Sequence, residues 1–350
     1  EIAKSDEAAI TAARGHTAPA ASTPGRVTSQ PGAALAAYGA RYVTGFGPHA
    51  LSRMRIGVYQ HSSVARDVLM QVLADLGATP VAIARSDTFV PVDTEAVDPD
   101  TRAQLARWCH DHNLDALVST DGDADRPMVT DATGTIVPGD VLGVLTAQML
   151  GAGVICTPVS SNSMVDDLFD TVVRTRIGSP YVIAAMEDTP AGAPVIGYEA
   201  NGGFLLGFAA QGPAGPLAPL MTRDCLLPMI APLAAARDVS GGMAALVATL
   251  PARFTAADRL QGIAPDRAAP WIARLADDPA ARAAVFAASG PVAGVDTTDG
   301  LRVRFADNRV VHLRPSGNAP ELRCYTEAAS PQAAQDLLAD YLGMLRATFP

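Results

Sequence analysis

The sequence has one lysine, four cysteines and no uninterrupted apolar run near the roughly 20 residues that a bilayer span requires. Each scarcity excludes something. Lys4 is the only lysine among 26 basic residues, so no mechanism that needs a catalytic lysine beyond that position is open to the chain. Cys109, Cys156, Cys225 and Cys324 are scattered singly with no CxxC pair, which argues against a disulfide framework and a zinc site and for buried reduced thiols. Positive charge is short as well: 26 basic against 36 acidic residues give a formal charge of -10 and a pI near 5.0. No footprint for a nucleic-acid backbone or an anionic membrane follows from that balance. With no apolar segment of spanning length and no basic start leading into one, the expected address is cytoplasmic. Aromatics are only 5%, yet hydrophobic residues reach 49% and charged residues 18%, enough to fill cores and far from a disordered composition. A length of 350 residues predicts two to four domains.

No repeat with a 20–50-residue period is evident, and strands alternate with helices instead. Arg55 to Tyr59 reads as a strand, and Ala65, Val68, Leu69, Val72, Leu73 and Leu76 follow at helical spacing up to a stop at Gly77. Val81 to Ala84 is the next strand, Asp98-Pro99 caps a helix running to about His112, and Leu114 to Thr120 is a buried strand. A second round predicts a strand over Gly153 to Pro158, a helix near Met164 to Val172, a strand over Val195 to Tyr198, and long helices from Met221 to Leu250. Beyond Phe254, two Ala-rich helices precede strands at Leu301 to Phe305, Arg309 to Leu313 and Glu321 to Thr326, and a final helix starts at Ser330-Pro331. The fold class expected is α/β and multi-domain: two three-layer α/β/α domains with mixed sheets, over 40–148 and 149–250, then a small C-terminal α+β domain over 251–350.

Three polar loops stand at strand ends. In Thr120-Asp121-Gly122-Asp123-Ala124-Asp125-Arg126-Pro127, carboxylates at alternate positions can converge on one hard divalent cation such as Mg²⁺, because like charges this close otherwise repel. An EF-hand does not fit, since Arg126 stands where its Gly would be and Ala132 where its Glu would be. A solvated acidic turn remains the alternative. In Gly197-Tyr198-Glu199-Ala200-Asn201-Gly202-Gly203, a carboxylate and an amide between glycines suit hydroxyl groups of a sugar, though such turns also serve as hairpin punctuation. In Arg314-Pro315-Ser316-Gly317-Asn318-Ala319-Pro320, followed by Arg323, arginine with small polar residues makes an anion cradle or an ordinary strand connection.

In this order and at these separations the loops resemble those of the α-D-phosphohexomutase family, the phosphomannomutases and phosphoglucomutases. The resemblance covers essentially the whole chain, as the last three of that family's four domains, with residues 1–39 as the trailing end of the first. It implies a phosphoserine enzyme that interconverts hexose 6-phosphate and hexose 1-phosphate, of mannose or glucose, through a bisphosphate intermediate. By the same resemblance Asp121, Asp123 and Asp125 hold Mg²⁺ and Arg126 faces the transferring phosphate. Glu199, Asn201 and Gly202 serve the sugar, and Arg314, Ser316, Gly317, Asn318 and Arg323 grip the distal phosphate. Arg174, Arg176 and Gly178 match a loop that reads substrate orientation; a buried strand end explains them as well.

Three departures from the family pattern are visible. Asn201 stands where the family has Ser, Asn318-Ala319 where it has Thr-Glu, and its Ser-His-Asn-Pro loop is nowhere in the 350 residues. The expectation is a longer native protein of which these residues alone would be inactive. The serines of His61-Ser62-Ser63 are poor replacements for the nucleophile, because Ser63 is explained as a helix N-cap. Two other classes use the same loops: a metal-dependent sugar phosphatase and a non-catalytic sugar-phosphate binding protein.

Overall fold

Strands covered on both faces are built from continuous apolar runs, and the central strands of the first two sheets are buried at nearly every position. The computed structural model describes residues 4–15, 28–29, 31–317 and 319–349. Helices α1 (Lys4–Ala12) and α2 (Pro31–Phe46) come first. The first sheet contains β1 (Arg55–His61), β2 (Thr79–Arg85), β3 (Ala116–Thr120), β4 (Pro127–Thr130) and β5 (Ile136–Val137), with α3 (Arg66–Asp75) and α4 (Pro99–Asp111) as crossovers. Its order is β2-β1-β3-β4-β5, parallel across the first three strands and antiparallel across the last two. Asp98 caps α4 as its sequence predicts, its carboxylate accepting from the Thr101 N–H at 2.9 Å. At α3 the cap differs from expectation. Ala65 holds the cap position, while buried Ser63 takes the Ala65 N–H at 3.0 Å and meets the Thr120 hydroxyl at 2.6 Å.

The second sheet follows α5 (Gly139–Leu150) and uses β6 (Val154–Pro158), α6 (Met164–Leu168), β7 (Val172–Thr175), α7 (Ser179–Glu187), β8 (Val195–Tyr198) and β9 (Phe204–Leu206). A short ribbon, β10 (Ala210–Gln211) with β11 (Pro216–Leu217), leads to β12 (Leu220–Asp224), α8 (Leu227–Ala236) and α9 (Gly242–Val247). Read from its β7 edge the sheet is β7-β6-β8-β9-β12, again parallel over three strands and antiparallel over two. The two sheets thus repeat one topology that the sequence does not repeat. In both, the hairpin between third and fourth strands carries a polar loop.

Two expected helices are shorter than predicted. The helix at Met164 stops at Leu168, because Phe169 turns extended and the β-branched Val172 and Val173 pair with β6. Residues 220–224 form an edge strand on β9, not a helix start, and the remaining helix splits where Gly241 and Gly242 take φ of +93° and +63°. The third sheet adds two strands missing from the sequence reading, β13 (Phe254–Gln261) and, after the two helices, one over Val292–Asp296. After α10 (Pro265–Asp277) and α11 (Pro279–Phe286) come β14 (Val292–Asp296), β15 (Leu301–Phe305), β16 (Val310–Pro315) and β17 (Glu321–Ala328), closed by α12 (Pro331–Thr348). Its order, β13-β17-β16-β15-β14, is antiparallel throughout.

One apolar cluster runs from Tyr42 to Met243 and so serves both mixed sheets, whereas the third sheet and α12 enclose a separate one from Ala256 to Phe349. All four cysteines are free and buried. Among the described residues no helix is long and apolar enough to cross a membrane.

Candidate functional site

Strand β3 is buried at every position, so its polar successor emerges from a rigid base. Carboxylate oxygens of Asp121, Asp123 and Asp125 all lie within 4.8 Å of one another. Asp121 is 9% exposed, and burial, reinforced by the charges of Asp125 and Asp123, pushes its carboxyl up to about 6. Arg126 stands 3.6 Å from Asp121 and 3.7 Å from Asp125, and its backbone N–H donates to Asp121 at 3.2 Å. Three hard oxygen donors with mutual repulsion fit an Mg²⁺ ion, whose charge removes the repulsion.

The equivalent hairpin of the second sheet carries Glu199, 5% exposed, and Asn201, 8% exposed. Backbone bonds from Glu199 N–H to Gly203 O and from Gly202 N–H to Glu199 O close this turn. The Asn201 side-chain oxygen accepts the Gly203 N–H at 3.0 Å, so part of the amide's capacity holds the loop in shape. Gly202 has φ +90°, and a Cβ there would meet Pro127 Cγ at 2.6 Å. Glycine is therefore what lets the second loop press onto the end of the first.

In the third sheet, Arg314 and Arg323 are direct partners across β16 and β17, and Arg323 is in turn opposite Arg259 of β13. Like charges opposed across strands are destabilising, which suits an anion that bridges them. Glu321 offsets part of the charge, 3.3 Å from Arg259 and 3.5 Å from Arg323. Ser316 is buried, with its N–H on Glu321 O at 2.8 Å, and the space at Gly317 is open. Asn318 lies outside the described residues.

The structure separates the three lesser candidates. Arg174 is committed to its own neighbourhood, donating to Ser161 O at 2.9 Å and pairing with Asp166 at 2.9 Å. Arg176 is exposed and stacks on Tyr181 at 5.9 Å, and Gly178, φ +127°, opens α7. Between them, Ile177 N–H donates to Asp299 at 3.0 Å, and the same Asp299 oxygen pairs with Arg314 at 2.9 Å. This loop is thus joined to the anion cradle. Ser62 is occupied by the Val90 N–H at 2.8 Å.

Two residues went unnoticed in the sequence. Arg223, on β12, pairs with Asp125 at 2.5 Å and stands 3.9 Å from Glu199. Glu95, between β2 and α4, is open to solvent as a residue, yet its carboxyl is pushed up to about 7. Burial of the carboxyl is the first cause, then Asp93 and Glu199, opposed by Arg126 and Arg323. Neighbouring Thr94 touches the second loop through Asn201 O at 3.5 Å.

Family models match the chain in three stretches. The phosphoglucomutase/phosphomannomutase alpha/beta/alpha domain II matches residues 40–134, alpha/beta/alpha domain III residues 138–254, and the C-terminal domain residues 271–343. The chain belongs to this family. A phosphomannomutase of Sinorhizobium fredii is 44% identical over 99% of the chain and 75% of its own length. One from Salmonella muenchen is 43% identical over 87% of the chain and 64% of its own length. Among solved structures, a phosphoglucomutase/phosphomannomutase family protein from Burkholderia thailandensis superposes with a TM-score of 0.65 at 21% identity, covering 90% of this chain and 65% of that one. That likeness shows the shared family fold.

Proposed function

We propose that the chain binds a hexose phosphate, of mannose or glucose, among the three loops and serves the interconversion of its 6-phosphate and 1-phosphate forms. The observation that carries this reading is that the three loops are joined in space: Arg223 stands between Asp125 and Glu199, at 2.5 and 3.9 Å, Gly202 presses onto Pro127, and Asp299 ties Arg314 of the anion cradle to the loop at Ile177. Asp121, Asp123 and Asp125 would hold Mg²⁺, which supplies charge neutralisation at the transferring phosphoryl group. Arg126 adds a cation on the same side. Glu199 presents a buried carboxylate to sugar hydroxyls, while Asn201 and Gly202 fix the backbone around it. Arg314 and Arg323 grip the phosphate at the far end, assisted by the Ser316 side chain and the open backbone at Gly317. Asn318 joins that set on the family pattern. Holding the distal phosphate sets the reacting end in line, the entropic part of such a transfer. The phosphoserine and bisphosphate steps are part of the proposal, and no Ser-His-Asn-Pro loop occurs within these 350 residues.

Calorimetric titration with mannose 1-phosphate and mannose 6-phosphate in the presence of Mg²⁺ tests this reading. Saturable binding of both isomers is expected, weakened at least tenfold by Arg314→Ala through loss of a charge-assisted bidentate contact. Failure to bind either isomer overturns it. Steady release of inorganic phosphate would favour hydrolysis over isomerisation.

A further inference from the structure

Arg223 sits where the two topologically equivalent hairpins meet. One guanidinium nitrogen pairs with Asp125 of the three-carboxylate loop at 2.5 Å, and the other lies 3.9 Å from Glu199. The side chain is about three-quarters covered, 23% exposed. The residue after it is firmly anchored. The next residue, Asp224, is buried and accepts the hydroxyls of Tyr38 and Tyr42 from α2 at 2.8 and 2.7 Å. Asp224 also accepts the N–H groups of Leu226 and Leu227 at the start of α8, at 2.9 and 3.3 Å. Room for the stem is supplied by the sugar loop itself, since a Cβ at Gly203 would stand 2.9 Å from Arg223 Cδ.

We propose that Arg223 is a positioning residue that couples the metal loop to the sugar loop, its fork shared between Asp125 and Glu199 so that cation and sugar phosphate favour each other's binding. The inference rests on the functional reading given above. A divalent cation among Asp121, Asp123 and Asp125 must compete with the guanidinium for Asp125, so the cation alone binds at a cost. The displaced guanidinium turns to Glu199, its second carboxylate, and a sugar whose hydroxyls hold Glu199 in place fixes that partner and reduces the cost. Each ligand therefore lowers the penalty met by the other, and the coupling is reciprocal by thermodynamic linkage. A lysine has the charge without the fork and cannot span the two carboxylates at once.

The test measures Mn²⁺ affinity by proton relaxation enhancement, with and without saturating mannose 1-phosphate, in the wild-type chain, Arg223→Gln and Arg223→Lys. Wild type is expected to bind Mn²⁺ about tenfold more tightly when the sugar phosphate is present, within the usual range of coupled sites. Arg223→Gln should bind Mn²⁺ alone severalfold more tightly than wild type, because the competing cation is gone, and should lose most of the coupling. Arg223→Lys should keep the weaker binding of Mn²⁺ alone but lose the coupling, which separates geometry from charge. Gly203→Ala, which displaces the stem without touching the arginine, should reproduce the loss and serves if Arg223→Gln fails to fold. Coupling undiminished in Arg223→Gln, or absent in wild type that binds both ligands, overturns the assignment of Arg223 alone. A wild-type chain that binds no sugar phosphate overturns the functional reading and this inference with it.

Discussion

His312 shows how one residue beneath the anion cradle ties stability to pH. Its Nε2 lies 2.6 Å from the Asp299 carbonyl, so that nitrogen must donate, while Nδ1 is buried with no hydrogen-bond partner among the described residues. A second proton would be placed on an N–H with nothing to receive it. Burial is accordingly the main cause that pushes the imidazole down to about 4, with Arg302 and Arg314 adding repulsion against the pull of the Asp299 carbonyl and carboxylate. Between about 6.5 and about 4 the unfolded chain binds a proton here that the folded chain refuses. Stability from this group is therefore complete above pH 6.5 and falls as pH drops through that window, by up to about 3 kcal/mol. Asp140 works in the opposite sense, since burial raises it to about 6 and the folded form holds a proton that the unfolded form has already lost. Urea melts at pH 7.5 and 4.5 should show a smaller pH-dependent loss in His312→Gln than in wild type. An equal loss in both would mean the ring is not the titrating group.

Among elements, the turn between β14 and β15 reaches furthest from its own sheet. Asp299 in that turn accepts Ile177 N–H from the loop after β7 and holds Arg314 of β16. In the unliganded chain its carboxylate satisfies the guanidinium that the phosphate would take. Asp299→Asn retains an oxygen for Ile177 but removes the competing charge, so inorganic phosphate should bind severalfold more tightly. Weaker binding in a calorimetric titration would show instead that the carboxylate aims the arginine. This link was not legible in the sequence, where Asp299 and Ile177 are far apart. The three loops were legible, because Asp121 to Arg126, Glu199 to Gly203 and Arg314 to Arg323 each concentrate their chemistry within ten residues. Arg223 was not, for a specific reason. Met221 to Asp224 is too short to show a period, and the Ala- and Leu-rich run after it pulls the reading toward helix. Pairing of β12 with β9 is non-local and overrides that tendency. The strand β13 was missed likewise, since among the described residues the strand it pairs with is β17, almost at the other end of the unit.

For the whole molecule, the division of apolar cores predicts how the chain comes apart. The two mixed sheets share one cluster through α5, α8 and β4, while the third sheet and α12 keep another. Polar contacts join the two bodies. Glu327 accepts from Ser163 N–H at 2.9 Å and from its hydroxyl, and the Asn162 amide donates to Arg253 O at 2.9 Å. Arg253 stands 3.8 Å from Glu327. Hydrogen bonds of this kind contribute about 0.5–1.5 kcal/mol each, so the seam is weak beside a core in which one phenylalanine is worth several times as much. Phe305 lies at 0% exposure against Phe286 in the C-terminal core, and Phe305→Ala should cost that core about 3–5 kcal/mol. Scanning calorimetry of the full chain should then show two transitions, with Phe305→Ala lowering one and leaving the other within error of wild type. A single transition that shifts as a whole would mean that the polar seam carries enough energy to make the three sheets one cooperative unit, and that the bodies holding the carboxylate loops and the anion cradle do not unfold separately.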